Sequence, residues 1–386
     1  MAASVSKSAI PRVAIIGAGV IGLSIAWRLA QRHVAVTVFD KGAAGAGASH
    51  AAAGMLAASA EAEPGEQPLV TLGRQSQALW PAFAAELEQA SGISVDLREE
   101  GTLLVALTAD DQARLSHDLA FQQTLKLPLG WISAAEARRR EPHLGPQIAG
   151  AVFSPNDHQV DNRKVVAALR VAAERAGAVI REHTAVERVR TTGGNVTGVG
   201  LADGSFFEAD VVVMAAGAWS RQIEGLAPEL RPPVRPVKGQ IVALQMDPAA
   251  PLIRHVIWAP NAYMVPRNDG RLLLGATVEE KGFDASLTAG AVLSLMEGAW
   301  RAVPAIEELP IAEMWVGHRP GSRDDAPILG PAPVRGLIYA TGHYRNGILL
   351  TPITAEMIAR LVLEDIVDPA IEPFGIGRFA SARAAE

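Results

Sequence analysis

The 386-residue chain contains no cysteine. Disulfides, zinc–thiolate sites, iron–sulfur clusters and thiol nucleophiles are thereby excluded, and no metal site is expected. There is no basic excess either: 35 Lys and Arg stand against 41 Asp and Glu, a net charge of −6. Phosphate binding draws on clustered cations, so a nucleic-acid partner is not expected. Blocks of like charge are missing; the nearest, Arg138-Arg139-Arg140, fits one solvated turn of helix. No run reads as a membrane span, because the most apolar stretch, Val13 to Ala30, holds Gly17, Gly19 and Gly22 and is interrupted by Arg28. The first eleven residues lack the basic start, apolar centre and cleavage site of a signal peptide and read as a disordered tail. A cytoplasmic protein without a membrane partner is expected. What is present is a chain 49% hydrophobic and 20% charged, able to bury a core throughout and long enough for two domains.

Val13 to Ile16 has the β-branched, apolar character of a central parallel strand. A glycine-rich turn, a helix through Ala30 and a second strand, Val34 to Phe39, complete a βαβ unit. Ala43 to Ala60 is rich in Ala and Gly, which suits either a backbone approached closely by a ligand or an unstructured loop. Helices are expected over Leu69–Gln89, with a kink at Pro81, over Ala109–Leu125, and over Asn162–Arg175 between an Asp161 cap and Gly177. Gly101–Leu107 reads as a strand. Ala185–Thr191, Asn195–Leu201 and Ser205–Phe207 form a meander turned at Gly193-Gly194 and Asp203-Gly204. Val211–Met214 is a wholly apolar strand. Prolines crowd Pro228 to Pro236, a domain crossing. Beyond it Ile241–Leu244, Tyr263–Pro266 and Leu272–Gly275 read as antiparallel strands and Leu287–Val303 as a helix. The final third reads as loop followed by a helix, Pro352–Glu364.

Gly17-Ala18-Gly19-Val20-Ile21-Gly22 is a G-x-G-x-x-G between the first strand and first helix, with Asp40 at the tip of the second strand. The first glycine permits the tight turn, the second admits a pyrophosphate to the backbone, and the third lets helix and strand pack. Helix N-terminal amides then face the phosphate, and Asp40 accepts from an adenosine ribose. This fingerprint serves NAD and FAD alike.

Three further segments carry a resemblance. Ser49-His50-Ala51-Ala52-Ala53-Gly54-Met55-Leu56, the strand from Val211 ending Ala215-Ala216-Gly217-Ala218-Trp219-Ser220, and Gly342-His343-Tyr344-Arg345-Asn346-Gly347-Ile348-Leu349-Leu350-Thr351-Pro352 resemble the glycine oxidase branch of the D-amino-acid oxidase family of FAD-dependent oxidoreductases. Lys238-Gly239-Gln240, Tyr263-Met264-Val265-Pro266-Arg267 and Trp315-Val316-Gly317-His318-Arg319-Pro320-Gly321 fall in family order, so the likeness runs from about Val13 to about Leu363. The resemblance implies an α/β fold: a discontinuous Rossmann-like FAD-binding domain (residues 1–90, 146–230 and 318–386) and a substrate domain (91–145 and 231–317) with a mainly antiparallel sheet and helices. It implies non-covalent FAD, since a flavin joined to cysteine is impossible here. The FAD contacts it assigns are Gly17, Gly19, Val20, Ile21, Gly22, Asp40, Lys41, Ala48, Ser49, Ala53, Gly54, Met55, Val186, Ala216, Gly217, Trp219, His343, Tyr344, Arg345, Asn346, Gly347, Ile348 and Leu349. A glycine-bearing loop at a helix start also offers amides and a positive dipole to the charge of a reduced flavin.

An amino acid needs its carboxylate gripped, and the planar fork of arginine does this with two parallel hydrogen bonds. By resemblance that arginine is Arg319, its partner is Tyr263, and Arg345 contacts the substrate, through its backbone carbonyl to the amine. Against these roles stand an interface ion pair of Arg319 with Asp324 or Asp325, and a core tyrosine with a satisfied hydroxyl. His343 is assigned to the flavin wrap rather than to base catalysis. The implied reaction is hydride transfer from the α-carbon of glycine, sarcosine or D-alanine to flavin N5, giving imine or 2-oxo acid, ammonia and, with dioxygen, hydrogen peroxide, and feeding thiamine thiazole synthesis. Val278 stands where the family can carry a longer methionine, which leaves room beside the α-carbon. A D-amino-acid dehydrogenase, an N-methyl-amino-acid oxidase with non-covalent FAD, an NAD-binding dehydrogenase and a non-catalytic flavin protein are the alternatives. A homotetramer is implied by the family.

Overall fold

The structure, a computed structural model, describes residues 11–380, so the expected N-terminal tail lies outside the described residues apart from Pro11. The first strand, Arg12–Ile16, sits inside a six-stranded sheet. Its order is Ile328–Pro331, Leu337–Thr341, Val211–Met214, Arg12–Ile16, Ala35–Phe39, Val179–Arg181. All pairings are parallel except that of Ile328–Pro331 with Leu337–Thr341. The period of two decides which core each side chain enters. Val13 and Ile15 join the helical layer with Val213, whereas Ala14 and Ile16 point to the opposite face with Val212 and Met214.

The helices Val20–Gln31, Gln67–Ser91, Asn162–Arg175 and Thr351–Glu364 cover the first face. Gln67–Ser91 is continuous across Pro81, with Trp80 and Phe83 buried on either side; Phe83 packs edge-on to both Trp27 and Trp80. Asp161 caps Asn162–Arg175 by accepting from the Arg163 and Lys164 amides at 2.9 and 3.1 Å. The other face is closed by the antiparallel sheet Val186–Thr192, Asn195–Leu201, Phe206–Glu208.

The second main sheet has eight strands, in the order Ile311–Gly321, Arg235–Gln245, Arg271–Gly275, Ala262–Pro266, Val256–Ala259, Thr102–Ala106, Gly150–Ser154, Gly130–Ser133. Only Val256–Ala259 with Thr102–Ala106 is parallel. Helix Ala289–Ala302 packs on one face through Leu295, Ala299 and Ala302. The final third departs from the expected loop, because Ile311–Gly321 is an eleven-residue edge strand paired along Arg235–Gln245. Arg319 therefore stands on a strand. Ile311–Gly321 runs across the boundary expected between residues 317 and 318, and Gly150–Ser154, within the expected FAD-binding segment 146–230, pairs in this second sheet. Among the described residues no helix is long and apolar enough to cross a membrane, and no His, Asp and Glu cluster is arranged to hold a metal.

Candidate active site

The chain leaves the first strand at Gly17, whose φ of +108° and contact with the Ala215 carbonyl leave no room for a Cβ. The Asp40 carboxylate braces this turn, accepting from the Ala18 amide at 2.8 Å and the Gly42 amide at 2.9 Å. Ser49 Oγ accepts from the Val20 amide at 2.9 Å, so the small-residue stretch folds back onto the helix start. The opening amides of a helix lack intrahelical acceptors. Here they border a cavity of about 580 Å³ lined by Gly17, Gly19, Val20, Ile21, Asp40 and Lys41. Gly22 does not line it: a Cβ there would overlap the Gly17 carbonyl. Its smallness serves the helix–strand packing expected of the fingerprint's third glycine.

The other cofactor-assigned segments line the same cavity. Ala48 and Ser49 stand on the short helix Ala48–Ala51, with Ala53, Gly54 and Met55 after it. Val186, Ala216, Gly217 and Trp219 form the opposite wall. Lys41 Nζ lies 3.8 Å from the Trp219 ring centroid, burial lowers its pKa, and Trp219 stacks on Phe283 at 5.1 Å. His343, Tyr344, Arg345, Asn346, Gly347, Ile348 and Leu349 close the far end. His343 is buried, with Nε2 3.2 Å from Thr354 Oγ1, and burial pushes its pKa down to about 3, so it is neutral. The Leu349 carbonyl accepts from Ser76 Oγ at 2.6 Å and Trp80 Nε1 at 3.0 Å, which pins the turn. The amides of Gly347, Ile348 and Leu349 have no acceptor among the described residues. A groove with a dinucleotide turn at one end and amides without acceptors near a helix start at the other fits FAD.

Three glycines open space on the side of the cavity formed by the eight-stranded sheet. Gly239 and Gly317 are directly opposed across the two long strands, and both line the cavity. A Cβ on Gly239 would come within 2.8 Å of Arg319 Cζ, and one on Gly275 would overlap the Tyr263 ring. Arg319 and Tyr263 thus occupy space that only glycine leaves free, and both line this cavity. Arg319 Nη1 donates to the Thr277 carbonyl at 3.0 Å and makes a long contact of 3.5 Å with that of Lys238. It makes no ion pair among the described residues; Asp324 is held by Arg378 and Asp325 by Arg235. Burial pushes the Tyr263 hydroxyl pKa up, opposed by the Arg319 charge.

Arg345 also lines the cavity, and the resemblance calls on its backbone carbonyl, not its side chain, for the substrate contact. Its side chain is taken up by carboxylates: Glu61 at 3.1 Å, Glu63 at 2.9 Å and Glu66 at 3.8 Å. Only its backbone is left for a ligand. Glu61 itself lines the cavity, and burial pushes its carboxyl up to about 7 against the pull of Arg345. Sequence reasoning passed over it, although three acids in Glu61-Ala62-Glu63-Pro64-Gly65-Glu66 directly after a ligand-suited stretch were a usable signal. Arg267 and Asn162, which brace that stretch from behind, were passed over as ligand-site residues as well.

Residues 12–361 match the family model described as FAD dependent oxidoreductase. The glycine oxidase of Geobacillus kaustophilus is 40% identical over 370 residues, covering 95% of this chain and 96% of that protein. A crystal structure of glycine oxidase from the same organism superposes with a TM-score of 0.88, covering 95% of this chain and 98% of that one. The bifunctional protein ThiO/ThiG of Synechocystis is also 40% identical, over 95% of this chain but 54% of that longer protein. With the fingerprint, the cavity and these likenesses in agreement, the chain belongs to the FAD dependent oxidoreductase family that includes the glycine oxidases.

Proposed function

We propose that this protein is an FAD-dependent oxidase of glycine and other small amino acids, sarcosine and D-alanine among them, feeding thiamine thiazole synthesis. The observation that carries the substrate end is Arg319: a guanidinium without an acidic partner among the described residues, on the wall of the cavity whose other end is the dinucleotide turn. Held by the Gly17–Val20 turn and the Gly347–Leu349 segment, FAD would supply a two-electron acceptor for the substrate's α-hydrogen and a route for those electrons to dioxygen, giving hydrogen peroxide. The protein's own part is orientation. Arg319 takes the α-carboxylate with its fork, and Tyr263 donates to the same group. The Arg345 backbone carbonyl receives the amine, while its side chain is anchored by Glu61, Glu63 and Glu66. Neutral His343 carries no acidic imidazolium proton near pH 7 and is too weak a base to take one, so it acts as a wall.

Val278 lines the cavity with a short side chain, leaving space beside the α-carbon. One methylene discriminates by only about 1–3 kcal/mol, so glycine, sarcosine and D-alanine are all accepted. The cofactor contacts assigned from sequence belong to this proposal, with Gly22 acting through the packing of the turn, as do the discontinuous two-domain division, a homotetramer and a cytoplasmic location. Oxygen consumption on a panel of glycine, sarcosine, D-alanine and L-alanine tests it. The first three should consume oxygen with one peroxide formed per turnover. Turnover with a quinone dye and no peroxide would make the protein a dehydrogenase instead.

A further inference from the structure

The wall Ala53–Gly54–Met55 of the cavity is held from the opposite sheet. Arg267 follows the strand Ala262–Pro266, and its backbone amide closes the hairpin onto the Arg271 carbonyl at 2.8 Å. Its side chain, only 4% exposed, crosses to the cofactor side. Nη2 donates to the Ala53 carbonyl at 2.6 Å and to Asn162 Oδ1 at 3.0 Å. Nη1 donates to the Val160 carbonyl at 2.7 Å and to Gln159 Oε1 at 3.1 Å. The partners it orders reach the same wall. Asn162 Nδ2 donates to the Ser49 and His50 carbonyls at 2.8 and 3.0 Å, and the Val160 amide donates to the Gly54 carbonyl at 2.9 Å. A Cβ on Gly54, where φ is +71°, would overlap the Val160 carbonyl and come within 2.9 Å of Arg267 Nη2. The guanidinium is thus packed against the back of the cavity wall without lining the cavity.

All four acceptors of Arg267 are uncharged. The neighbouring carboxylate, Asp161, is engaged by Arg271 at 2.8 Å and by the amides it caps. Burying a cation among neutral acceptors is costly, and apolar replacement of buried ionic groups is often neutral or stabilising. Fold stability alone therefore does not account for the residue. Burial draws its pKa down to about 10, so the charge persists at neutral pH.

We propose that Arg267 is a positioning residue for the cofactor: its fork fixes the backbone from Ser49 to Met55 and sets a permanent positive charge directly behind the flavin-facing wall. This rests on the cavity being the FAD site. Arg267→Met keeps the apolar stem and removes every donor and the charge. FAD titrated into apoprotein, followed by quenching of flavin fluorescence, should bind that variant at least tenfold more weakly, and its visible flavin band should shift. The KM for glycine should stay within threefold while kcat falls, because Arg319 and Tyr263 are untouched. Arg267→Lys, which retains charge but lacks the fork, should bind FAD three- to tenfold more weakly. Arg271→Met, on the same hairpin but off the wall, should stay within twofold of native.

Native-like FAD affinity and spectrum in Arg267→Met overturn the proposal. If that variant does not fold, the Lys variant decides, and native-like affinity there overturns it equally. Failure of both to fold would make Arg267 a core residue and also overturn it. Native protein that takes up no FAD in the same titration would instead remove the cofactor site on which the proposal stands.

Discussion

Arg319→Met removes the only charged group assigned to the substrate carboxylate while leaving Tyr263 and the cofactor groove intact. The guanidinium is bonded to the Thr277 carbonyl and contacts that of Lys238, both on the eight-stranded sheet side, and to no segment assigned to FAD. Leaving one member of a buried, hydrogen-bonded charge pair alone costs about 3–5 kcal/mol. The cavity opens to solvent, so the lower figure applies. At about 1.4 kcal/mol per tenfold, a loss of about 3 kcal/mol weakens carboxylate binding roughly a hundredfold. Arg319→Lys retains charge but not the planar pair of donors, and should lose about tenfold. The assay is perturbation of the flavin spectrum by acetate, a carboxylate that cannot be oxidised, alongside KM for glycine. FAD affinity should remain native in both variants. Acetate binding to Arg319→Met within threefold of native would refute the assignment.

Gly275→Ala drives a methyl into the Tyr263 ring. Overpacking costs about 1–3 kcal/mol, so denaturant unfolding should register that loss, with KM for glycine raised about tenfold; an unchanged KM contradicts the placement of Tyr263. Gly17→Ala places a side chain at φ +108° and into the Ala215 carbonyl. It should purify with little FAD, and full flavin content would contradict the turn's role. Glu61 carries a folded pKa of about 7 against an ordinary 4.5. The folded state therefore keeps a proton that the unfolded chain has released between those values. Stability contributed at low pH is lost as pH rises through that window. Glu61→Gln should match native apoprotein near pH 4 and exceed it by about 1–3 kcal/mol at pH 8; a variant less stable than native at pH 8 contradicts the shift.

Elements that are apolar on both faces were readable in the sequence, because burial there is uniform. Val13–Ile16 and Val211–Met214 occur where periodicity puts them, and Asp161 announces its helix as a cap. Ile311–Gly321 was not readable. It is an edge strand whose cavity face carries Gly317 and Arg319 in place of core residues, so the alternation that marks a strand is missing. Gly22 was legible from the fingerprint's spacing as a packing glycine, and the packed turn shows the carbonyl it meets, that of Gly17. Glu61 reaches the cavity because Asp157, buried and remote in sequence, accepts from the Ser59 and Ala60 amides at 3.0 and 2.6 Å. Arg267 likewise acts through partners more than a hundred residues away. Motif spacing is local, and these bracing contacts are not.

Anaerobic addition of glycine to the purified FAD-loaded protein tests the central assignment most directly. The oxidised flavin band should bleach within the mixing time and return on admission of air, with an equivalent amount of peroxide. An oxidised band that glycine, sarcosine and D-alanine all leave untouched, in protein that has taken up its FAD, would contradict it.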